Sequence, residues 1–377
     1  MFDRGLRLIL CCCLVGAAAQ ARAQGVTDNE ILFGQTTGIT GPVAGSVKES
    51  NDGIKLYFDW INAQGGINGR KLVLESRDDK FDPKLSGENA RKMVAENPPI
   101  AFLLTRGTPH TEAVIPSAKE AKIAIIAPGT GAEIFHTPVN PLIFNLRAKY
   151  QAEVAKAVDH LHTLGTNRIA LVHVGDSFGA DARAGFDRKM AELKLTPVLI
   201  ASFDRSTGDT AAVAQQLLKE APQATIVIGT VAHVSGLINR VRKEGGQTQF
   251  VTLSNNGTKS FVTALGANAH GVMVVQAFPN PRGNSELARE VKRIAGKDRP
   301  DLVVSQQTIE GFCAAKLVVE ALKRAGKKPT PQALITALES IRDYDMGGFQ
   351  ISYGPTDHTG AEFVEMSIID KRGEFLQ

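Results

Sequence analysis

The chain has 377 residues, 22% of them charged, and its 43 Lys and Arg against 39 Asp and Glu give a formal net charge of +4. A balance this close to neutrality excludes a surface built for polyanions, so nucleic acid is not an expected partner. Three of the four cysteines are adjacent at Cys11, Cys12 and Cys13, which leaves no disulfide framework; stability must come from apolar burial, in a length that suits about two domains.

The first element is not part of the fold. Arg4 and Arg7 precede an apolar run from Leu8 to Ala19, and Ala21-Arg22-Ala23 follows it. A basic head, a short apolar middle and a small-x-small end describe a secretory signal peptide, too short to serve as a bilayer-spanning anchor. Cleavage after Ala23 leaves Gln24 first, lowers the net charge to +2 and leaves Cys313 as the single thiol. From there short apolar strands alternate with amphipathic helices. Strands are predicted at 31–36, 71–76, 100–104 and 123–126, with helices at 46–63, 83–96 and 109–120 between them. A second series follows, with strands at 168–173, 197–203, 225–230 and 250–253 and helices at 148–163, 179–193, 209–220 and 232–244. This alternation predicts an α/β fold of two Rossmann-like lobes, each with a parallel sheet covered on both faces and right-handed crossovers.

Within the first series, Gly65-Gly66 and Asn68-Gly69 stop one helix and turn the chain into the strand that ends at Asp78 and Asp79. The carboxyl end of such a strand is where open α/β sheets place a ligand crevice; the alternative is that the two aspartates only cap and fix loops. The βαβα blocks 26–146 and 147–277 are followed by a helical pair at 284–295 and 304–324 that can return to the first lobe. The expected division is therefore lobe 1 at 27–146 plus 279–346 and lobe 2 at 147–278 plus 347–377, hinge-linked, with a ligand cleft between them.

Signals for chemistry are sparse. "GDSFG" at 175–179 fits the nucleophile elbow G-x-S-x-G, which would make Ser177 a nucleophile served by His270 or His358; the competing reading is a helix start capped by Asp176 or Ser177. His160 and His162 are two apart on a predicted helix and point in different directions, so no metal site is expected. "GTGAE" lacks the spacing of a dinucleotide fingerprint, so no cofactor is expected, and Cys313 sits in an apolar helical run as a core thiol. No catalytic residue is assigned, and the chain is not expected to be an enzyme.

The runs "TGPVAG" (40–45), "INAQGGINGRKLVL" (61–74), "DDKFDP" (78–83), "KIAIIAPGTGAE" (122–133) and "RIALVHVGDSFG" (168–179) resemble, in order and spacing, the type I periplasmic binding proteins, in particular the leucine/isoleucine/valine-binding type. The resemblance implies lobes joined by three crossings and a monomer located in the periplasm. It further implies a ligand closed between the lobes and delivered to permease subunits of an ABC importer in the inner membrane. Carried over residue by residue, it places Thr40, Arg106, Thr108, Gly129, Thr130 and Gly131 on the first lobe's side of the ligand, and Phe178, Val231, Ser254 and Asn255 on the second lobe's. Four departures stand out. Gly131 stands where a hydroxyl is usual, Val231 or Ala232 where a tyrosine is usual, Ser254 and Asn255 occupy the region where an acidic residue usually meets a ligand ammonium, and Arg106 stands where an apolar residue is usual. An arginine fork suits a carboxylate, so the expected ligand is an amino acid or an aliphatic or aromatic acid; the other reading turns Arg106 to solvent or pairs it with Asp78 or Asp79. Ligand-sensing for signalling, or an exported hydrolase using Ser177, are the alternative functions.

Overall fold

The structure, a computed structural model, describes residues 24–377; the signal-peptide reading of residues 1–23 lies outside the described residues. The first lobe runs β1 (Glu30–Thr37), α1 (Ala44–Ala63), β2 (Lys71–Asp78), α2 (Pro83–Glu96), β3 (Ala101–Leu103), α3 (Thr108–Ala121), β4 (Ala124–Ile126) and β5 (Ile143–Phe144). These strands form one parallel sheet in the order β2-β1-β3-β4-β5. The second lobe repeats the plan with α4 (Tyr150–Thr163), β6 (Ile169–Val174), α5 (Ser177–Glu192), β7 (Leu199–Phe203), α6 (Ala211–Glu220), β8 (Ala224–Ile228), α7 (Val231–Lys243), β9 (Gln249–Thr252), α8 (Lys259–Leu265) and β10 (Met273–Gln276). Its parallel strands lie in the order β7-β6-β8-β9-β10, the same topology as in the first lobe. In both sheets the order reverses beside the first strand, and a crevice opens at the carboxyl ends there.

Burial explains the strand sequences. All six residues of β6 and all five of β8 are buried, as a central parallel strand covered on both faces requires. The apolar stripe read on α1 is the one that packs: Val47, Ile54, Tyr57, Phe58 and Ile61 are all buried. Trp60 lies against Tyr57 at 5.4 Å between ring centroids and is a packing residue of this helix. The turn at the helix end is built on Gly66, whose φ of 70° and amide bond to the Ile61 carbonyl stop the helix.

After β10 the chain returns to the first lobe through α9 (Glu286–Asp298), α10 (Gln306–Ala325) and α11 (Pro331–Glu339). Helices α1 and α10 cross at two glycines. A Cβ on Gly53 would stand 2.1 Å from the Thr308 carbonyl oxygen, and one on Gly311 would stand 1.8 Å from that of Ser50. Only glycine permits this approach, which brings α10 close to the hinge. A small antiparallel sheet follows, β11 (Tyr344–Asp345), β12 (Gln350–Gly354) and β13 (Asp357–Gly360), before β14 (Glu365–Ile369) and β15 (Phe375–Leu376) join the edge of the second sheet beside β10.

The sequence division at 346 and 347 differs from this path. Residues 347–360 lie with the first lobe: Asn145 N–H donates to the His358 carbonyl at 2.9 Å, Tyr353 OH donates to the Asn145 carbonyl at 2.5 Å, and His358 stacks on Phe144 at 4.0 Å. The small sheet thereby covers the end of edge strand β5. The last crossing falls at 361–364, after crossings at 145–149 and 277–285.

Candidate ligand-binding site

Between the carboxyl ends of the two sheets lies a cavity of about 20 Å³, room for roughly one water molecule. The first lobe contributes Val43 and Ser46 at the start of α1, Phe81 after β2, Arg106 and Gly107 after β3, and Gly129 after β4. The second contributes Tyr150 and Phe178 at the starts of α4 and α5, Arg205 after β7, Thr230 and Val231 at the start of α7, and Asn255 after β9. Five helices therefore begin at this cavity: α1, α3, α4, α5 and α7. Their dipoles make the site favourable to negative charge.

Of the residues expected from sequence, Arg106, Gly129, Phe178, Val231 and Asn255 line this cavity together. Thr108 and Thr130 stand one layer behind, fully buried, with their hydroxyls 2.7 Å apart and so committed to each other. Gly131 is wedged under the first crossing, where a Cβ would meet the Ala148 carbonyl oxygen at 2.4 Å. Ser254 is buried with its N–H and hydroxyl both bonded to Glu153, at 2.8 and 2.9 Å. Thr40 is exposed at the rim, its N–H and hydroxyl donating to Asp78 at 3.1 and 2.6 Å. None of these five lines the cavity, because other protein groups already take up their space or their hydrogen bonds.

Asp78 and Asp79 fix the loop after β2. Asp78 accepts from Thr40 and from Lys80 N–H at 2.9 Å; partial burial opposes its charge, yet these bonds hold its pKa below the ordinary carboxylate value. Asp79 is fully buried, accepts from Phe81 N–H at 2.9 Å and from the Thr36 hydroxyl at 3.3 Å, and burial pushes its pKa up to about 6. Together they hold Lys80 and Phe81 at φ of 53° and 61°, which turns Phe81 to the cleft.

Arg106 neither faces solvent nor pairs with those aspartates. It is buried, donates to Gln307 Oε1 through Nη1 and to the Asn255 carbonyl through Nη2 at 3.2 Å, and lies 3.7 Å from Glu310. Burial lowers its pKa, and Glu310 works against that shift. Glu310 also meets Arg147 at 3.3 Å, and Arg147 in turn meets Glu153 at 3.0 Å and the Ser254 hydroxyl. Burial disfavours the Arg147 charge and the pKa of Glu153 is raised by its own burial, while the two stabilise each other as an ion pair. A chain of buried charge thus runs from the first lobe, through the first crossing at Arg147, into the second lobe. Arg147 and Glu153 are six residues apart, but the other members are remote in sequence, so no local motif announces the chain.

Arg205 was not among the sequence candidates. Its Nε donates to Asp176, its guanidinium carbon lies 5.0 Å from the Phe81 ring centroid across the cleft, and its Nη1 is buried without a hydrogen-bond partner. Asp176 also caps α5 by accepting from Phe178 and Gly179 N–H at 3.0 and 3.2 Å. Ser177 donates across the cleft to Glu112 at 2.8 Å. His358, one of the two partners the nucleophile reading calls for, is in the first lobe with Nδ1 2.9 Å from the Ile143 carbonyl. Two more contacts join the lobes: Glu49 accepts from Lys259 and Ser260 N–H, each at 3.1 Å, and Asp181 accepts from Glu133 N–H at 3.0 Å.

Comparison with known proteins agrees with this architecture. The sequence pattern of the periplasmic binding protein family matches residues 15–372. A substrate-binding periplasmic protein from Ralstonia solanacearum superimposes with a TM-score of 0.86 at 31% identity, over 92% of this chain and 100% of that one. A possible leucine/isoleucine/valine-binding protein from Rhodopirellula baltica gives 0.88 at 26% identity, over 93% and 96%. The Leu/Ile/Val-binding protein BraC3 of Rhizobium johnstonii is 22% identical over 340 residues, 89% of this chain and 90% of its own length.

Proposed function

The chain belongs to the periplasmic binding protein family and is similar to its leucine/isoleucine/valine-binding members, and we propose that it captures a small carboxylate-bearing solute between its lobes and presents it to the permease of an ABC importer. Residues 1–23 are read as its export signal, and the mature protein acts as a monomer in the periplasm.

One observation carries the ligand charge. Five helix N-termini and two arginines converge on the cavity, and among the described residues no Asp or Glu lines it. Dipole ends and guanidinium groups favour an anion there, and a neutral or cationic solute would forgo that stabilisation. A cavity of about 20 Å³ admits such a ligand only when the lobes part. Binding then runs through an open form, in which the first lobe offers Phe81, Arg106 and the Gly129 loop. Closure follows, favoured only by the contacts that the second lobe adds.

A thermal-shift screen of protein stripped by unfolding and refolding tests this reading. Amino acids, aliphatic acids, aromatic acids and the matching amides form the panel. At a hundredfold excess over Kd, a ligand adds about 2.7 kcal/mol of stability. The true ligand should be an acid and its amide should be silent; equal shifts from both would remove the anion reading. Loss of uptake of that acid on deletion of the gene tests the importer role.

A further inference from the structure

We propose that Arg205 is the group with which the second lobe grips the ligand, and that the ligand is an aromatic monocarboxylate carrying no ammonium. The inference rests on the cleft being the ligand site, as above.

The charge inventory excludes a zwitterion. Among the described residues, Arg106 and Arg205 are the only charged ones lining the cavity. The acids around it are already engaged: Asp176 with Arg205 and the start of α5, Glu310 with Arg147 and Arg106, Glu153 with Arg147 and Ser254, Glu49 with the Lys259 and Ser260 N–H groups, and Glu112 with Ser177. An α-ammonium would enter a site of helix N-termini and guanidinium groups with no carboxylate free to meet it.

The donor inventory separates the two arginines. In the closed form Arg106 spends Nη1 on Gln307 and Nη2 on the Asn255 carbonyl of the other lobe, and opening frees only Nη2. Arg205 spends only Nε, on Asp176, and keeps Nη1 buried and unpartnered. A buried guanidinium N–H without an acceptor is costly, and a ligand carboxylate supplies that acceptor.

Aromatic rings set the shape of the remaining space. Phe81 faces the cavity from the first lobe, and Tyr150 and Phe178, with centroids 4.6 Å apart, face it from the second. As the lobes part, a flat ring enters between Phe81 and this pair at stacking distance. The ligand ring takes the face of Phe81 on which the Arg205 guanidinium lies, and the guanidinium takes the carboxylate.

Calorimetry on the stripped mature chain tests both halves. Benzoate, phenylacetate and 3-phenylpropanoate are titrated beside hexanoate, phenylalanine, leucine and benzamide. At least one aromatic acid should bind at least about tenfold more tightly than phenylalanine, leucine, hexanoate and benzamide. Arg205→Gln should weaken that acid about 10- to 100-fold and abolish the preference for acid over amide, and Arg205→Lys, which keeps the charge without the fork, should fall between. The helix-capping bonds of Asp176 are made to Phe178 and Gly179 N–H and do not involve Arg205, and far-UV circular dichroism checks that both variants fold. Should a variant not fold, the benzoate-to-benzamide ratio on the unaltered protein tests the anion grip by itself, and equal affinities overturn it. Leucine or phenylalanine binding more tightly than every aromatic acid overturns the ligand class and leaves the cleft reading standing. A change below twofold in Arg205→Gln overturns the role of Arg205. No binding by any acid in the panel overturns the cleft reading and this inference with it.

Discussion

Arg147→Met tests the buried charge chain at its centre. Arg147 is 1% exposed and meets Glu153 at 3.0 Å, Glu310 at 3.3 Å and the Ser254 hydroxyl. Its removal leaves the two carboxylates unequally served. Glu310 still has Arg106 at 3.7 Å, whereas Glu153 keeps only the N–H and hydroxyl of Ser254. Breaking a buried pair by deleting one partner costs about 3–5 kcal/mol, because the other charge stays desolvated. Arg147→Met should therefore lose about that much stability in urea denaturation followed by circular dichroism and tryptophan fluorescence. The double variant Arg147→Met/Glu153→Met removes both charges and leaves the Arg106–Glu310 pair intact. It should recover to within about 1–2 kcal/mol of the unaltered protein, the residue being the lost acceptor for the Ser254 N–H. A coupling of about 2 kcal/mol or more between the two substitutions is the expected signature. A single-variant loss below about 1 kcal/mol, or strictly additive losses, would refute the claim that this chain of charge is interdependent.

Gly311→Ala should cost at least about 2 kcal/mol by forcing α1 and α10 apart, since its Cβ would lie 1.8 Å from the Ser50 carbonyl oxygen. Gly296→Ala, where nothing lies within 4 Å, should be neutral or stabilising by up to about 1 kcal/mol, and denaturation midpoints compare the two. Burial pushes the pKa of Asp79 up to about 6 in the fold, against an ordinary value of 3.8. The fold thus binds this proton more tightly than the unfolded chain, and stability should fall as pH rises from about 4 to 6, by on the order of 2–3 kcal/mol in full. Asp79→Asn abolishes that dependence. Its melting temperature relative to the unaltered protein should climb across the window, and a difference flat from pH 4 to 7.5 would contradict the assignment. His110 and His136, both pushed down to about 4 by burial, give the opposite slope, but they are common to both proteins and cancel in the difference. Glu49→Ala removes the acceptor of the Lys259 and Ser260 N–H groups across the cleft. It should enlarge the radius of gyration in X-ray scattering and weaken ligand about fivefold or more.

The sequence by itself determined the elements and the plan. Val47, Ile54, Tyr57, Phe58 and Ile61 on one helix face, and the short apolar runs between helices, carry period and length, which are local properties of the chain. They suffice for two α/β lobes with a crevice at their strand ends. Gly129, Phe178 and Val231 were legible as cavity residues because each follows a strand at a helix start or turn, a position that sequence order encodes. Phe81 was within reach too, since "DDKFDP" marks a tight loop at a strand end, but the two aspartates drew attention from the ring that they aim.

Only the tertiary structure decided the rest. Thr108 and Thr130 are both hydroxyl residues at the expected turns, yet their 2.7 Å bond to each other removes them from the cavity wall. Arg106 is buried as expected of a cleft residue, but its fork is claimed by Gln307 and Asn255, which stand 201 and 149 residues away. Arg205 keeps Nη1 without a partner while Asp176 takes its Nε and Phe81 of the other lobe lies beneath it. Which groups remain free to meet a ligand is set by hydrogen-bond competition among residues remote in sequence, and that competition exists only once the lobes, α10 and the three crossings are in place.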